Sequence, residues 1–125
     1  MSRKRFPFEK LEVWQEARKL VKEVHVHTRA YPKAEMYGLT AQVNRAALSV
    51  ANNLAEGSSR MSLKDQAHFS NQAYGSLMET ASDIIVASDL GYVDEEATDP
   101  ILNHAYDLSV RIHNLRQSQL TRAKP

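Results

Sequence analysis

The chain has 125 residues, enough for one domain with a single core. Hydrophobic residues make up 42% and charged residues 25%, with only four Gly and four Pro, which excludes a disordered chain and argues against a many-stranded sheet. There is no cysteine, so disulfide and thiol chemistry are excluded, and no apolar run approaches the roughly 20 residues of a membrane helix.

The opening residues, MSRKRFPFEK, lack the apolar stretch of a signal peptide. A soluble cytoplasmic protein without membrane contact is therefore expected, as a single domain over 1–125 with a flexible basic leader over 1–8 and a frayed tail over 119–125. The net charge of +1 hides a segregation. Residues 1–33 carry nine Lys and Arg against four Asp and Glu, residues 61–100 one against eight, and residues 101–125 four against one. Such a distribution biases association with partners or with copies of the same chain.

Residues 9–30 form the first predicted helix. Leu11, Trp14, Ala17, Val21, Val24 and Thr28 share one face, widened by Val13 and Leu20, and Pro32 ends the run. A second helix runs from about residue 35 to Glu56, loosened near its start by Gly38. Leu39, Val43, Ala46, Val50 and Leu54 form its core stripe, and Gly57 is read as a left-handed stop.

Ser62 with Asp65 forms a capping-box variant that opens a third helix. Its stripe is Leu63, Ala67, Ser70, Tyr74, Leu77, Ala81, Ile84 and Ser88, and Gly91 is its stop. The fourth helix carries Ile101, Ala105, Leu108, Ile112 and Leu115. Pro100 sits too deep for a helix opening at Asp94. Either a short turn covers 94–98 and Asp99 caps a helix with Pro100 first, or the helix kinks; the first reading is adopted. Four amphipathic helices with short connections imply an all-α, antiparallel up-down-up-down four-helix bundle.

The residues offer no catalytic constellation. Nucleophile elbow, phosphate loop and His-Glu-x-x-His motifs are all missing. A di-metal bundle site needs two Glu-x-x-His pairs, and only Asp65-x-x-His68 comes near. His25 and His27 fall on different helix faces, and His104 and His113 are expected at the surface. No enzyme activity, metal or cofactor is expected.

The faces opposite the core stripes are unusual. On the second helix Gln42, Arg45, Ser49, Asn52 and Glu56 recur at helical spacing, with Asn53 beside them; on the third, Asp65, Phe69, Gln72, Ser76, Glu79 and Asp83 do so. Solvent faces are ordinarily filled with Lys and Glu. Short amides, hydroxyls and one large aromatic suggest a packed surface instead. Gln42, Arg45, Ser49, Asn53, Glu56, Phe69, Gln72, Ser76, Glu79 and Asp83 are therefore expected at a subunit interface of a homo-oligomer. There Arg45 would meet Glu79 or Asp83 of another copy, and Arg60 or Asn53 would donate to Glu56.

A second set of candidates is cationic. Arg3, Lys4, Arg5, Lys10, Lys19, Lys22 and Arg29 come from the first segment, and Arg111, Arg116, Arg122 and Lys124 from the last. On neighbouring helices these charges would combine into a sequence-independent, salt-sensitive surface for RNA or DNA. The competing reading is a protein-interaction scaffold, with Asp89, Asp94, Glu95, Glu96 and Asp99 docking a basic partner.

FEKLEVWQEA, YPKAEMYGLTAQVNRAALSVANNLAEGSSR, AYGSLMETASDI and LGYVDEE, in this order and spacing, resemble the small bacterial four-helix-bundle proteins encoded within intervening sequences of 23S ribosomal RNA genes. The accessory variability proteins of diversity-generating retroelements resemble the same group. The resemblance covers about residues 6–118. It implies a four-helix bundle assembled as a homopentameric barrel and, for the retroelement relatives, binding of nucleic acid and of a reverse transcriptase. The motif residues carried over are Asn53, Ala55-Glu56-Gly57, Gly75, Ser76 and Glu79. A double arginine of the group is Asn44-Arg45 here, one positive charge fewer on the second helix.

Overall fold

The computed structural model describes residues 3–124. It contains four α-helices, α1 (Glu12–His27), α2 (Leu39–Ser58), α3 (Leu63–Asp89) and α4 (Glu95–Ala123), and no strand among the described residues. Short 3-10 turns at Pro7–Lys10, Thr28–Ala30 and Lys33–Glu35 flank the first two helices. The long first helix expected over 9–30 is thus a shorter α-helix with a tighter turn at each side. The α-helical part of the second starts four residues later than expected, directly after Gly38.

Each helix packs against its neighbours in chain order, and α4 closes onto α1. α1 and α3 therefore stand across the core from one another. Leu20 and Val24, Val43 and Val50, Leu77 and Ile84, and Leu108 and Ile112 are fully buried, two from each helix. Each such side chain contributes about 1.5–3 kcal/mol relative to exposure. None of these helices is long and apolar enough to cross a membrane.

The helix ends show which local signals decide. Ser62 Oγ accepts from Asp65 N at 3.1 Å, so the third helix opens as the capping pattern predicts. Gly91 has φ +79°, and Tyr92 N donates to Ala87 O at 3.0 Å, the left-handed stop expected there.

Two expectations are corrected. α4 does not begin at Pro100: Asp94 Oδ1 accepts from Ala97 N at 2.8 Å, and the helix runs through Pro100. Proline here lies within two turns of the start and is exposed, so the cap and the acidic first turn outweigh one missing hydrogen bond. Gly57 is not a left-handed stop either, since α2 continues to Ser58 and Gly91 alone has positive φ among the described residues. Gly57 is buried against α3 instead.

Candidate functional site

Leu11, Gly57, Gln66, Gln119 and Arg122 line one cleft of about 220 Å³, so both chain ends and the α2–α3 turn meet at one end of the molecule. Phe6 and Phe8 lie along Ala55 and Ser59 at the same end. Gln66 Nε2 donates to Arg60 O at 2.9 Å, which ties the turn to the start of α3. Beneath it, Ser70 Oγ donates to Gln119 Oε1 at 2.7 Å, with both residues buried. α4 stays helical through Ala123, so the tail expected to fray from residue 119 begins with a buried side chain; residue 125 lies outside the described residues.

This end collects Lys4, Arg5, Lys10, Arg60, Lys64, Arg116, Arg122 and Lys124. All are exposed except the half-buried Arg116. The Arg60 guanidinium stacks 4.5 Å above the Phe69 ring, and Arg122 Nε donates to Ser118 O at 3.3 Å. The leader (residues 1 and 2 lie outside the described residues) is anchored through Glu9. Its carboxylate takes both Arg3 Nη groups and the backbone N of Phe6, the latter at 2.7 Å, with Arg5 at 3.6 Å. Hydrogen bonding to Arg3, then to Phe6 N, holds the Glu9 carboxyl down at about 2.

The structure does not gather all the expected cations into one patch. Lys19 and Lys22 lie along the exposed side of α1, where Lys19 pairs with Glu16 at 3.2 Å, and Arg29 lies near the opposite end. Arg111 reaches Glu12 at 3.9 Å. Arg60 and Lys64 were absent from the sequence-derived cationic set. Their position at the α2–α3 turn is the signal that places them beside the chain ends.

The opposite end is acidic and aromatic. Glu35 Oε1 accepts from Leu39 N at 3.1 Å and Glu35 Oε2 from the Tyr92 hydroxyl at 2.7 Å, which closes the loop before α2 onto the α3–α4 turn. Those two bonds lower the Glu35 carboxyl below its ordinary value. Asp89, Asp94, Glu95, Glu96 and Asp99 are exposed near this end. Tyr31 is buried between His27 and Tyr92, and burial with nearby Asp83 pushes its hydroxyl up to about 12. Asp83 is raised by burial and then by Glu79, and its Oδ2 is buried without a hydrogen-bond partner.

The expected interface residues divide into two groups. Ser49 and Ser76 hydroxyls meet at 2.9 Å within the chain, and Asn53 Nδ2 donates to Ser49 O and Oγ at 2.9 and 3.0 Å. Phe69 packs on Gly57 and Arg60 of its own chain. These four side chains thus serve the α2–α3 contact. Gln42, Arg45, Glu56, Gln72 and Glu79 are exposed, and Asp83 is half-buried. Glu56 takes no side-chain donor from Asn53 or Arg60, whose groups are engaged elsewhere. Asn44 is half-buried, and its Nδ2 donates to Thr28 Oγ1 at 3.1 Å and to Thr40 O at 2.9 Å.

His104 is not a simple surface residue. Its Nδ1 lies 2.5 Å from Glu23 and its Nε2 3.9 Å from Glu16, so it links α4 to α1. No group of three or more His, Asp or Glu with metal-holding geometry occurs among the described residues.

A family model described as 23S rRNA-intervening sequence protein matches residues 9–114. The chain belongs to this family. The match takes in all of α1, α2 and α3 and most of α4, so the whole helical core is family sequence. Arg116, Arg122 and Lys124 of the basic end lie beyond it. Comparison with curated proteins finds no match. The family is one of small helical proteins and not a known enzyme family.

Proposed function

We propose that this 23S rRNA-intervening sequence protein is a non-enzymatic accessory factor that binds structured RNA or DNA through its basic end. The convergence of Lys4, Lys10, Arg60, Lys64 and Arg122 carries the reading. Exposed cations at one end, with acids concentrated at the other, orient a polyanion toward the former. In this reading the helices run antiparallel, up-down-up-down, and the chain assembles in the cytoplasm as a homopentameric barrel, which multiplies the basic ends into one rim.

A gel-shift titration with structured RNA and with duplex DNA tests it. The full chain shifts the nucleic acid at low salt, and the affinity falls linearly in log–log form as salt rises. Lys64→Glu with Arg122→Glu weakens the shift against both nucleic acids alike, because phosphate contacts carry no sequence information. No shift at low salt removes the reading.

A second reading is a protein scaffold without a nucleic-acid role. The exposed carboxylates of Asp94, Glu95, Glu96 and Asp99 favour it, since they suit a basic protein surface. A reverse transcriptase is the partner of this kind that the resemblance to the accessory variability proteins implies. Pull-down of a purified reverse transcriptase that survives loss of the basic end supports this alternative.

A further inference from the structure

Phe6 is 61% exposed, yet its ring is held in place. It stacks on Phe8, with 5.6 Å between ring centres and 12° between planes, and Phe8 in turn meets Trp14 edge-on at 4.9 Å. The backbone beneath is pinned as well. Phe6 N donates to the Glu9 carboxylate at 2.7 Å, and Glu9 N donates to Phe6 O at 3.1 Å. A lone exposed aromatic is ordinary. A fixed aromatic ladder whose outermost ring is left open, at a cationic end, has the form of a stacking platform. Phe6 and Phe8 precede the residues that the family model matches.

Beside the ring opens a recess of about 360 Å³, walled by Phe6 and Phe8 and by Glu56, Ser58 and Ser59 at the end of α2. Its polar side chains are acceptors. Ser58 Oγ donates to Ala55 O and Ser59 Oγ to Glu56 O, each at 2.7 Å, so both hydroxyl protons are engaged and lone pairs remain. The exposed Glu56 carboxylate and the negative end of the α2 dipole add to this. A phosphate group, itself an acceptor, is turned away. The amino and imino N–H groups on the pairing edge of a nucleobase find partners, and only an unpaired base has them free. Phosphates are served next door: Lys4 and Arg5 precede Phe6, Arg60 follows Ser59, and all three are exposed.

We infer that an unpaired nucleobase stacks on Phe6, with its pairing edge in this recess and its flanking phosphates on Lys4, Arg5 and Arg60. The inference rests on the nucleic-acid reading above and names the part of the ligand that this end reads. That part is a loop, a bulge or a strand end, not the duplex. Stacking tolerates any base, since every base has a π-face. The platform is ordered before the ligand arrives, so little freedom is lost on binding.

An RNA hairpin with 2-aminopurine in its loop, a DNA hairpin of the same sequence and a duplex of equal charge test the inference, each titrated with the full chain at low salt. The wild-type chain quenches the loop fluorescence and binds the hairpin more tightly than the duplex; the hairpin that responds names the sugar. Phe6→Leu keeps an apolar side chain and removes the π-face. It lowers hairpin affinity by about tenfold, relieves the quenching and leaves duplex affinity unchanged. Phe6→Tyr keeps the preference for the hairpin. Circular dichroism shows that both variants are folded, as substitution of so exposed a ring permits. If Phe6→Leu binds and quenches like the wild-type chain, the stacking site is overturned while the nucleic-acid reading stands. An equal loss of affinity for hairpin and duplex overturns it too. A wild-type chain that binds neither removes both.

Discussion

Gly57 lies so close to Phe69 that a Cβ built on it would stand 2.8 Å from the Phe69 Cβ. The contact joins the last turn of α2 to the second turn of α3, where the aromatic ring also receives Arg60. Both partners in the clash are fixed to backbone, so neither can swing away. Gly57→Ala is expected to destabilise the protein by about 1–3 kcal/mol despite alanine's better helix propensity. Gly75, in mid-α3, has nothing within 4 Å of the same position. Gly75→Ala is expected to stabilise by about 0.5–1 kcal/mol. Urea unfolding of the two variants side by side checks both signs.

Ser70 and Gln119 give a second test. Their bond is buried, and Ser70→Ala strands the Gln119 amide oxygen. A loss of about 1–3 kcal/mol in denaturant unfolding is expected, the cost of an unsatisfied buried group. An unchanged midpoint would mean that water replaces the hydroxyl.

Asp83 is expected to cost stability at neutral pH. Burial, then Glu79, raises its carboxyl above the ordinary 3.8. The folded state therefore holds its proton more tightly than the unfolded state, and stability falls as pH rises through that window. Asp83→Asn should raise the thermal midpoint at pH 7 and lose the advantage below the ordinary aspartate value. With solvent screening the gain stays under about 1 kcal/mol.

The leader is expected to respond in the opposite sense. Glu9 is lowered from 4.5 to about 2, chiefly by Arg3. Its contribution is complete above the unfolded value and is lost as pH falls through the folded one. Arg3→Ala should return the Glu9 carboxyl toward its ordinary range, which an NMR titration of its side-chain carbon reads directly.

The core was legible because helical periodicity is strong where aliphatic side chains mark it. Val43, Val50, Leu77, Ile84, Leu108 and Ile112 all fall on the expected stripes and are buried. What the pattern missed is small or polar. Ala47, Ala73 and Thr80 are fully buried, yet their type fits either side of a helix. Ser49 and Ser76 stood out as non-solvent residues, but spacing alone does not tell a neighbouring helix from a neighbouring copy. Gly57 sat where a helix stop is common, and only the closeness of Phe69 reveals its other use. Pro100 reads as too deep for a helix opening at Asp94, because spacing alone does not weigh the Asp94 Oδ1–Ala97 N bond that outweighs it. The basic end was half legible: its cations were visible as residue types, while the placing of Arg60 and Arg122 at one end of the molecule depends on tertiary packing.

Sedimentation equilibrium of the full chain at micromolar concentration and low salt is the most direct check on an assembly that gathers five basic ends into one rim. The account predicts a single species near five times the 14.1 kDa chain mass, about 70 kDa. A single species at 14.1 kDa would contradict it.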